Sequence, residues 1–337
     1  MRTSVHHDNQ ELHYMQNVTV SAVSGHPVQI AQPRVTDAEY DQIIDYWTDR
    51  ISRVLPDQPD LVVLPEMFDR PQVSGQPSAS HLPTGPKEEF ARDKGTRIRD
   101  ALAEIAVAHH TYVTYPSYRI TDDGAIVNAL EFIGRDGGTA AVYDKIVPTL
   151  NEQAGLDIKP GDTALAADLD FGRVSGIICF DLNFEQVRAA VAQVKPQLIV
   201  FPSAYHGGLM QNYWALSCRS FFVGCVYPPN RSAIIDPTGQ EVASTSTYDW
   251  LITRTINLDY TLVHLDNNRE KLLQLKQKYG AEVQIHDPGL VGMVIVYSHS
   301  DAVNSATMVA EFEMQVLDDY FADSTAHLAE RGVRVPN

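Results

Sequence analysis

The chain has 337 residues, of which 44% are hydrophobic and 20% charged, so it is long enough to bury a sizeable core in one large or two modest domains. Its formal net charge of −17 repels phosphate backbones and anionic membranes, which excludes nucleic acid as an expected partner. No run of about 18 apolar residues exists to span a membrane, and three cysteines without regular spacing make neither a disulfide framework nor a zinc site.

The stretch 1–17 is polar, carries His6, His7 and His13, and has no apolar h-region. It reads as an N-terminal extension rather than a signal peptide, and a reducing cytoplasm is the expected compartment. Val18 to Val23 reads as a first strand. Thr36 and Glu39 then form a T-x-x-E capping box ahead of Tyr40, Ile43, Ile44, Trp47, Ile51 and Val54, whose spacing predicts an amphipathic helix ending before Pro56. Leu61 to Leu64 is a short apolar run of buried-strand type, stopped by Pro65.

The alternation repeats. Residues 86–109 read as one helix, 112–116 as a strand, and 125–133 with 139–142 as a hairpin around Arg135-Asp136-Gly137-Gly138. Residues 174–179 are another buried strand, 184–194 a helix and 198–201 a strand. Residues 209–223 read as helix, with Cys218 and Cys225 assigned to it as packing residues. A hairpin set at 231–235 and 251–258 follows, around Asp236-Pro237-Thr238-Gly239. Strands alternating with helices, interleaved with hairpins, predict an α/β fold with mixed sheets and a main domain over 18–260. The remainder, 261–337, holds a helix at 267–279 and a strand at 291–296. It is expected to be too small for a core of its own, and so to dock on the main domain or on a neighbouring subunit.

Three polar residues, Glu66, Lys145 and Cys179, stand where buried strands end, and Asp181 lies just beyond the last of them. Loops at strand ends leave the crevices in which α/β proteins assemble ligand sites. Singly each has a structural reading, as a core thiol, a capping carboxylate or a surface charge; together they make a nucleophile, a base and a cation.

The segments LVVLPEMF at 61–68, YDKIVPT at 143–149 and GIICFDLNFE at 176–185 resemble, in order and spacing, the three signature segments of the nitrilase superfamily of carbon–nitrogen hydrolases. Asn128-Ala129, Pro160-Gly161-Asp162 and Phe201-Pro202-Ser203-Ala204 extend the likeness. The resemblance implies a four-layer α-β-β-α sandwich with two mixed β-sheets and a Glu66-Lys145-Cys179 triad. Cys179 is then the nucleophile, Glu66 the proton shuttle, and Lys145 with the Phe180 backbone N–H the stabiliser of the oxyanion. Glu152, seven residues after the lysine, matches the glutamate that often accompanies the triad. Neither metal nor organic cofactor is implied, and a homodimer or higher homo-oligomer is.

Two departures narrow the expectation. Cys179-Phe180-Asp181 stands where nitrilases tend to carry Cys-Trp-Glu, which favours an amidase acting on a small linear amide or N-carbamoyl compound. The alternatives are a nitrilase, an N-acyltransferase, and a non-catalytic metabolite-binding relative. Arg219 is retained from a family Arg-Ala-x-x-Glu-Asn run, but Val223 and Gly224 replace its Glu and Asn, which puts a structural ion pair in doubt. Met67, Phe68, Phe184, Tyr205 and His206, in loops after the strands, are the expected pocket lining.

Overall fold

A computed structural model describes residues 17–75 and 84–333. Except for Asn17, which opens the first strand, the extension at 1–17 lies outside them. The first half of the chain comprises β1 (Asn17–Val23), β2 (Gln29–Ile30), α1 (Asp37–Ser52), β3 (Leu61–Val63), β4 (Gln72–Val73), α2 (Thr84–Asp93), α3 (Arg97–His109), β5 (Tyr112–Ile120), β6 (Ile126–Ile133), β7 (Thr139–Asp144) and α4 (Leu150–Leu156). The second half begins with β8 (Ala167–Leu169), β9 (Gly172–Gly176), α5 (Glu185–Gln193), β10 (Leu198–Ser203), α6 (Met210–Cys218), β11 (Phe221–Val226), β12 (Ala233–Ile235), β13 (Glu241–Ser244) and β14 (Leu251–Asn257).

These strands make two six-stranded mixed sheets, ordered β14-β1-β3-β5-β6-β7 and β13-β12-β11-β10-β9-β8. Their inner faces meet in one apolar core, with Val18, Val20, Leu61, Val63, Leu130 and Phe132 on one side and Val174, Leu198, Val200 and Val223 on the other. Helices cover both outer faces. Ile43, Trp47 and Ile51 of α1 and Ile98 and Leu102 of α3 pack over Val62 and Val113. Val187 and Val191 of α5 and Trp214 of α6 pack over Ile199 and Phe222. The result is the four-layer α-β-β-α sandwich. The Thr36–Glu39 capping box is formed at the start of α1, where the Glu39 N–H donates to Thr36 Oγ1 at 3.3 Å and the Thr36 N–H to Glu39 Oε2 at 2.8 Å.

Three expectations about the elements need correction. The helix expected at 86–109 is two, broken where Gly95 takes φ +56° and Lys94 turns into the core. The helix expected at 209–223 ends at Cys218, and Arg219 leaves it in the left-handed region at φ +60°. Phe221–Val226 is a central strand parallel to β10, so Cys225 lies on a strand. A continuous apolar run without charges suits a strand buried on both faces, and only the missing Gly or Pro before it disguised the boundary. In the third case, β12 pairs with β11 and β13, while β14 crosses to the other sheet and pairs antiparallel with β1 along its whole length.

Beyond β14 come β15 (Tyr260–His264), α7 (Arg269–Tyr279), β16 (Val283–His286), β17 (Met293–Ser298), α8 (Ser305–Glu311) and α9 (Leu317–Glu330). The strands form a three-stranded antiparallel sheet. Contrary to the expectation that this stretch lacks a core, Val263, Leu275, Val294, Val296, Met308 and Val309 enclose an apolar cluster. The opposite face, with Leu262, Met293, Ile295 and Tyr297, joins the core between the two large sheets.

Candidate active site

Strand direction brings the polar residues together. β3 runs parallel to β5, and β7 returns to that direction through two antiparallel steps, so both β3 and β7 end at one edge of their sheet. Glu66 and Lys145 follow those ends. In the facing sheet β9 and β10 are parallel, and Cys179 and Ala204 follow theirs. A crevice between two sheet edges is where such folds hold ligands.

Lys145 is the hub, only 1% exposed. Its Nζ donates to Glu66 Oε1 at 2.9 Å and to Glu152 Oε2 and Oε1 at 2.9 and 3.2 Å. Burial alone pushes its pKa down, but Glu66 and Glu152 outweigh burial and hold the ammonium above the usual lysine range. Glu152 is fixed by its own helix: Thr149 caps α4, its N–H donating to Glu152 Oε2 at 2.7 Å. Burial pushes Glu152 up, yet Lys145, the Thr149 N–H and Asn128 prevail and keep its carboxyl below the ordinary value. The Asn128 amide donates to Glu66 Oε1 at 2.9 Å and Glu152 Oε1 at 2.7 Å, tying both carboxylates to β6.

Cys179 opens a short 3-10 turn, Cys179–Asn183, with its own backbone at φ +47°. For a residue with a β-carbon this left-handed conformation costs energy and is retained where surrounding structure enforces it. The sulfur faces the Glu66 carboxylate, and the Ala204 N–H, which donates to Glu66 Oε2 at 3.2 Å, faces both. Burial, then Glu66, push the thiol well above the ordinary range, and Lys145 offsets them only in part. The free site therefore rests as thiol, ammonium and ionised Glu152. Phe180 supplies an N–H at the start of the turn, one of the amides a helix end leaves without an internal partner.

Asp181 is the residue that locks the cysteine segment to the lysine segment. Its carboxylate accepts from the Ile178 N–H at 3.0 Å, the Val147 N–H at 2.8 Å and the Tyr143 hydroxyl at 2.8 Å. Burial lifts its pKa to about 6 in spite of those three donors.

The expected pocket lining divides. Met67 and Phe68 are buried in the core beneath α1, where Phe68 meets Trp47 and Tyr115 edge-on at ring distances of 5.2 and 5.8 Å. They are core residues and not walls, because the chain turns inward at Met67, φ +53°, directly after Glu66. Tyr205 does stand at the site: its phenol is pushed up to about 12 by burial and by the neighbouring Cys179, and it accepts from Asn183 Nδ2 at 2.8 Å. Phe184 packs edge-on against Phe180 at 5.2 Å. His206 is turned back on its own loop, its Nδ1 accepting from the Gly208 N–H at 3.1 Å. Arg219 forms an ion pair with Asp318 of α9 at 3.4 Å. Asn128 and Asp181 were not among the expected site residues, although a lone amide within the apolar run Ile126–Ile133 and a carboxylate two residues after the cysteine were visible signals. Among the described residues no group of His, Cys, Asp and Glu has an arrangement that could hold a metal ion, and no helix is long and apolar enough to cross a membrane.

Residues 27–262 match the carbon–nitrogen hydrolase family model. The chain belongs to that family, within the nitrilase superfamily. It is 28% identical to the human protein named omega-amidase NIT2 over 65% of this chain and 80% of that one. Among solved structures it superposes on Saccharomyces cerevisiae Nit3, described as a member of branch 10 of the nitrilase superfamily. That match has a TM-score of 0.58 at 18% identity, covering 81% of this chain and 97% of that one. It also superposes on an amidase mutant from Nesterenkonia sp. AN1, described as carrying the acetamide moiety of fluoroacetamide on its active-site cysteine. There the TM-score is 0.56 at 16% identity, over 78% of this chain and 96% of that one.

Proposed function

We propose that the protein is a cysteine-dependent amidase that cleaves a small linear amide or N-carbamoyl compound through a thioester on Cys179. The observation that carries this reading is the shared position of Lys145 Nζ, 2.9 Å from both Glu66 and Glu152, with the Cys179 sulfur facing Glu66. An amide carbon is a poor electrophile and calls for a thiolate, but the resting group is a thiol, so deprotonation accompanies attack. Glu66 takes the thiol proton as the sulfur–carbon bond forms. The carbonyl oxygen becomes an oxyanion against the Lys145 ammonium and the Phe180 N–H, donors each able to supply about 3–4 kcal/mol. Collapse breaks the carbon–nitrogen bond as Glu66 returns the proton to the leaving nitrogen. Glu66 then deprotonates a water that attacks the thioester, and the proton goes back to sulfur as the acid departs. Glu152 keeps Lys145 charged and aimed throughout, as a positioning residue.

The names carried by the human and Nesterenkonia relatives support amide substrates and a cysteine adduct. The test is ammonia release from a panel of amides, nitriles and N-carbamoyl amines, with Cys179→Ala as control. Turnover of amides that disappears in the variant, with an acyl adduct on Cys179 trapped in Glu66→Gln, is the expected result. Amide turnover that survives in Cys179→Ala overturns the reading.

A further inference from the structure

The second sheet brings two segments to the crevice: the turn Cys179–Asn183 and the loop 204–209 between β10 and α6. The loop carries the Ala204 N–H, which donates to Glu66 Oε2 at 3.2 Å, and the Tyr205 phenol beside Cys179. Glu66 Oε1 already accepts from Lys145 and Asn128, each at 2.9 Å. Oε2 is therefore the oxygen with room for the thiol proton, and the Ala204 N–H sets its direction. Helix α6 holds both segments by their backbone. Trp214 Nε1 donates to the Leu182 carbonyl of the turn at 3.0 Å. One helical turn earlier, Gln211 Nε2 donates to the His206 carbonyl of the loop.

Gln211 is 1% exposed, and the oxygen of its amide, Oε1, is buried without a hydrogen-bond partner. Oε1 lies against Gly224 of β11, where a β-carbon would overlap it. Turning the amide over is no remedy, because its oxygen would then face the His206 carbonyl oxygen. A methionine of similar length fills this space without burying an unpaired oxygen, which is a costly thing to do. The amide thus leaves one buried acceptor unmet in order to supply one donor, and the His206 carbonyl is what that donor holds. Gly207, at φ +77° and without room for a β-carbon beside Leu182, lays the same loop down on the cysteine turn.

We propose that Gln211 is a positioning residue for catalysis: its hold on His206 sets the loop 204–209, and with it the Ala204 N–H that orients Glu66 towards Cys179. This inference rests on the amidase reading for its effect on turnover. Burial and Glu66 raise the thiol pKa, and the Ala204 N–H works against them. The loop therefore bears on the reactivity of Cys179 before any substrate binds.

Gln211→Met removes the donor at nearly constant volume. It is tested on acetamide, butyramide or N-carbamoylglycine, whichever the wild type cleaves fastest. Its kcat is expected to fall roughly tenfold with KM held within about threefold, because the loss falls on proton transfer rather than on binding. Alkylation of Cys179 by iodoacetamide should slow about fivefold as the thiolate loses a donor. Gln211→Glu keeps the shape but donates to His206 only while its carboxyl is protonated. Its kcat relative to the wild type should therefore rise as pH falls from about 8 to about 5. Gly224→Ala, which pushes on Oε1, should cost about fivefold in kcat alone and less than about twofold when added to Gln211→Ala. A Gln211→Met protein whose kcat and alkylation rate both stay within about twofold of the wild type overturns the inference, and a lowered Tm beside those values assigns Gln211 to packing. A wild type that cleaves none of the three compounds and forms no Cys179 adduct overturns the amidase reading. The alkylation rates need no substrate, so an unchanged rate in Gln211→Met then overturns the hold on the loop as well.

Discussion

The side-chain amide of Asn128 donates to Glu66 at 2.9 Å and, through the same nitrogen, to Glu152 at 2.7 Å. Both carboxylates also grip the Lys145 ammonium, so the four groups close a ring in which one cation and one amide hold two anions together. Two buried carboxylates sharing a site would ordinarily force one to take up a proton. Asn128 is a neutral second donor to both without adding charge, and its backbone carbonyl accepts the Lys145 N–H at 2.8 Å.

Replacing Asn128 by Leu keeps the strand and the volume but removes the donor. The loss of a buried charge-assisted hydrogen bond is worth about 1.5–3 kcal/mol, so kcat/KM is expected to fall roughly 10- to 100-fold. Asn128 also helps to hold the Glu152 carboxyl low. Without it that pKa rises, and the acid limb of the kcat/KM profile moves to higher pH. A variant with reduced activity and an unmoved acid limb would assign Asn128 to packing alone.

Cys179 and Glu66 give a prediction in the opposite sense from catalysis. Burial and the facing carboxylate push the thiol up. Alkylation of Cys179 by iodoacetamide at pH 7 should therefore be slower than that of a free thiol. In Glu66→Gln the anion is gone while the Lys145 ammonium stays, so alkylation should accelerate even as amide turnover is lost. Peptide mapping separates Cys179 from Cys218 and Cys225, which are both buried. An alkylation rate that falls in Glu66→Gln would mean the carboxylate activates the thiol in the resting enzyme.

Asp181 makes a prediction about stability. Its carboxyl titrates at about 6 in the folded protein, above the ordinary 3.8. Between those values the folded state holds more proton than the unfolded one. Its contribution is thus fully present below the ordinary value and is lost as pH rises through about 6. Asp181→Asn cannot titrate, so its Tm should vary less with pH between about 4 and 6 than that of the wild type. Asparagine has one acceptor oxygen for the Ile178 and Val147 amides and the Tyr143 hydroxyl. An unmet donor costs about 1–3 kcal/mol, so Tm should be lower at pH 7 as well. Thermal scans of both proteins across that range check both parts.

The framework was legible where a local pattern and the tertiary fold agree. Thr36-x-x-Glu39 and the apolar spacing behind it define α1, and short apolar runs ending in Pro65 or Pro202 mark buried strands. Cys179, Lys145 and Glu66 could be singled out because each ends such a run and the three segments match a family in order. What could not be read is set by pairing between distant segments. Nothing local tells β14 to leave β12 and β13 for β1, whose Asn17 pairs with Asn257, 240 positions away. Phe68 beside Glu66 looks like a pocket wall in sequence, and only the left-handed Met67 shows that the chain dives into the core there. Arg70 is a charge after a turn in sequence, and the fold carries its guanidinium to the Tyr118 hydroxyl, to which its Nη1 donates at 3.0 Å.

The same inward turn sets up the last prediction. Directly after Phe68, Asp69 is fully buried and accepts from Lys94 Nζ at 3.0 Å and from Ser117 Oγ at 2.5 Å, while Lys94 also donates to Tyr115 at 2.8 Å. Burial pushes the Lys94 pKa down, with Asp69 opposing it. Lys94 is also the residue at which α2 gives way to α3, so this pair fastens the broken helix to the strand that delivers Glu66. Lys94→Met leaves the Asp69 carboxylate buried without its cation, which costs about 3–5 kcal/mol. The double variant Lys94→Met, Asp69→Leu removes both charges and should regain most of that loss, since a buried ion pair replaced by apolar groups of similar volume is often neutral. Urea unfolding of the wild type, both single variants and the double variant measures the coupling. Additive losses in that cycle would show that the two residues stabilise the fold independently, and would detach the helix break from the positioning of Glu66.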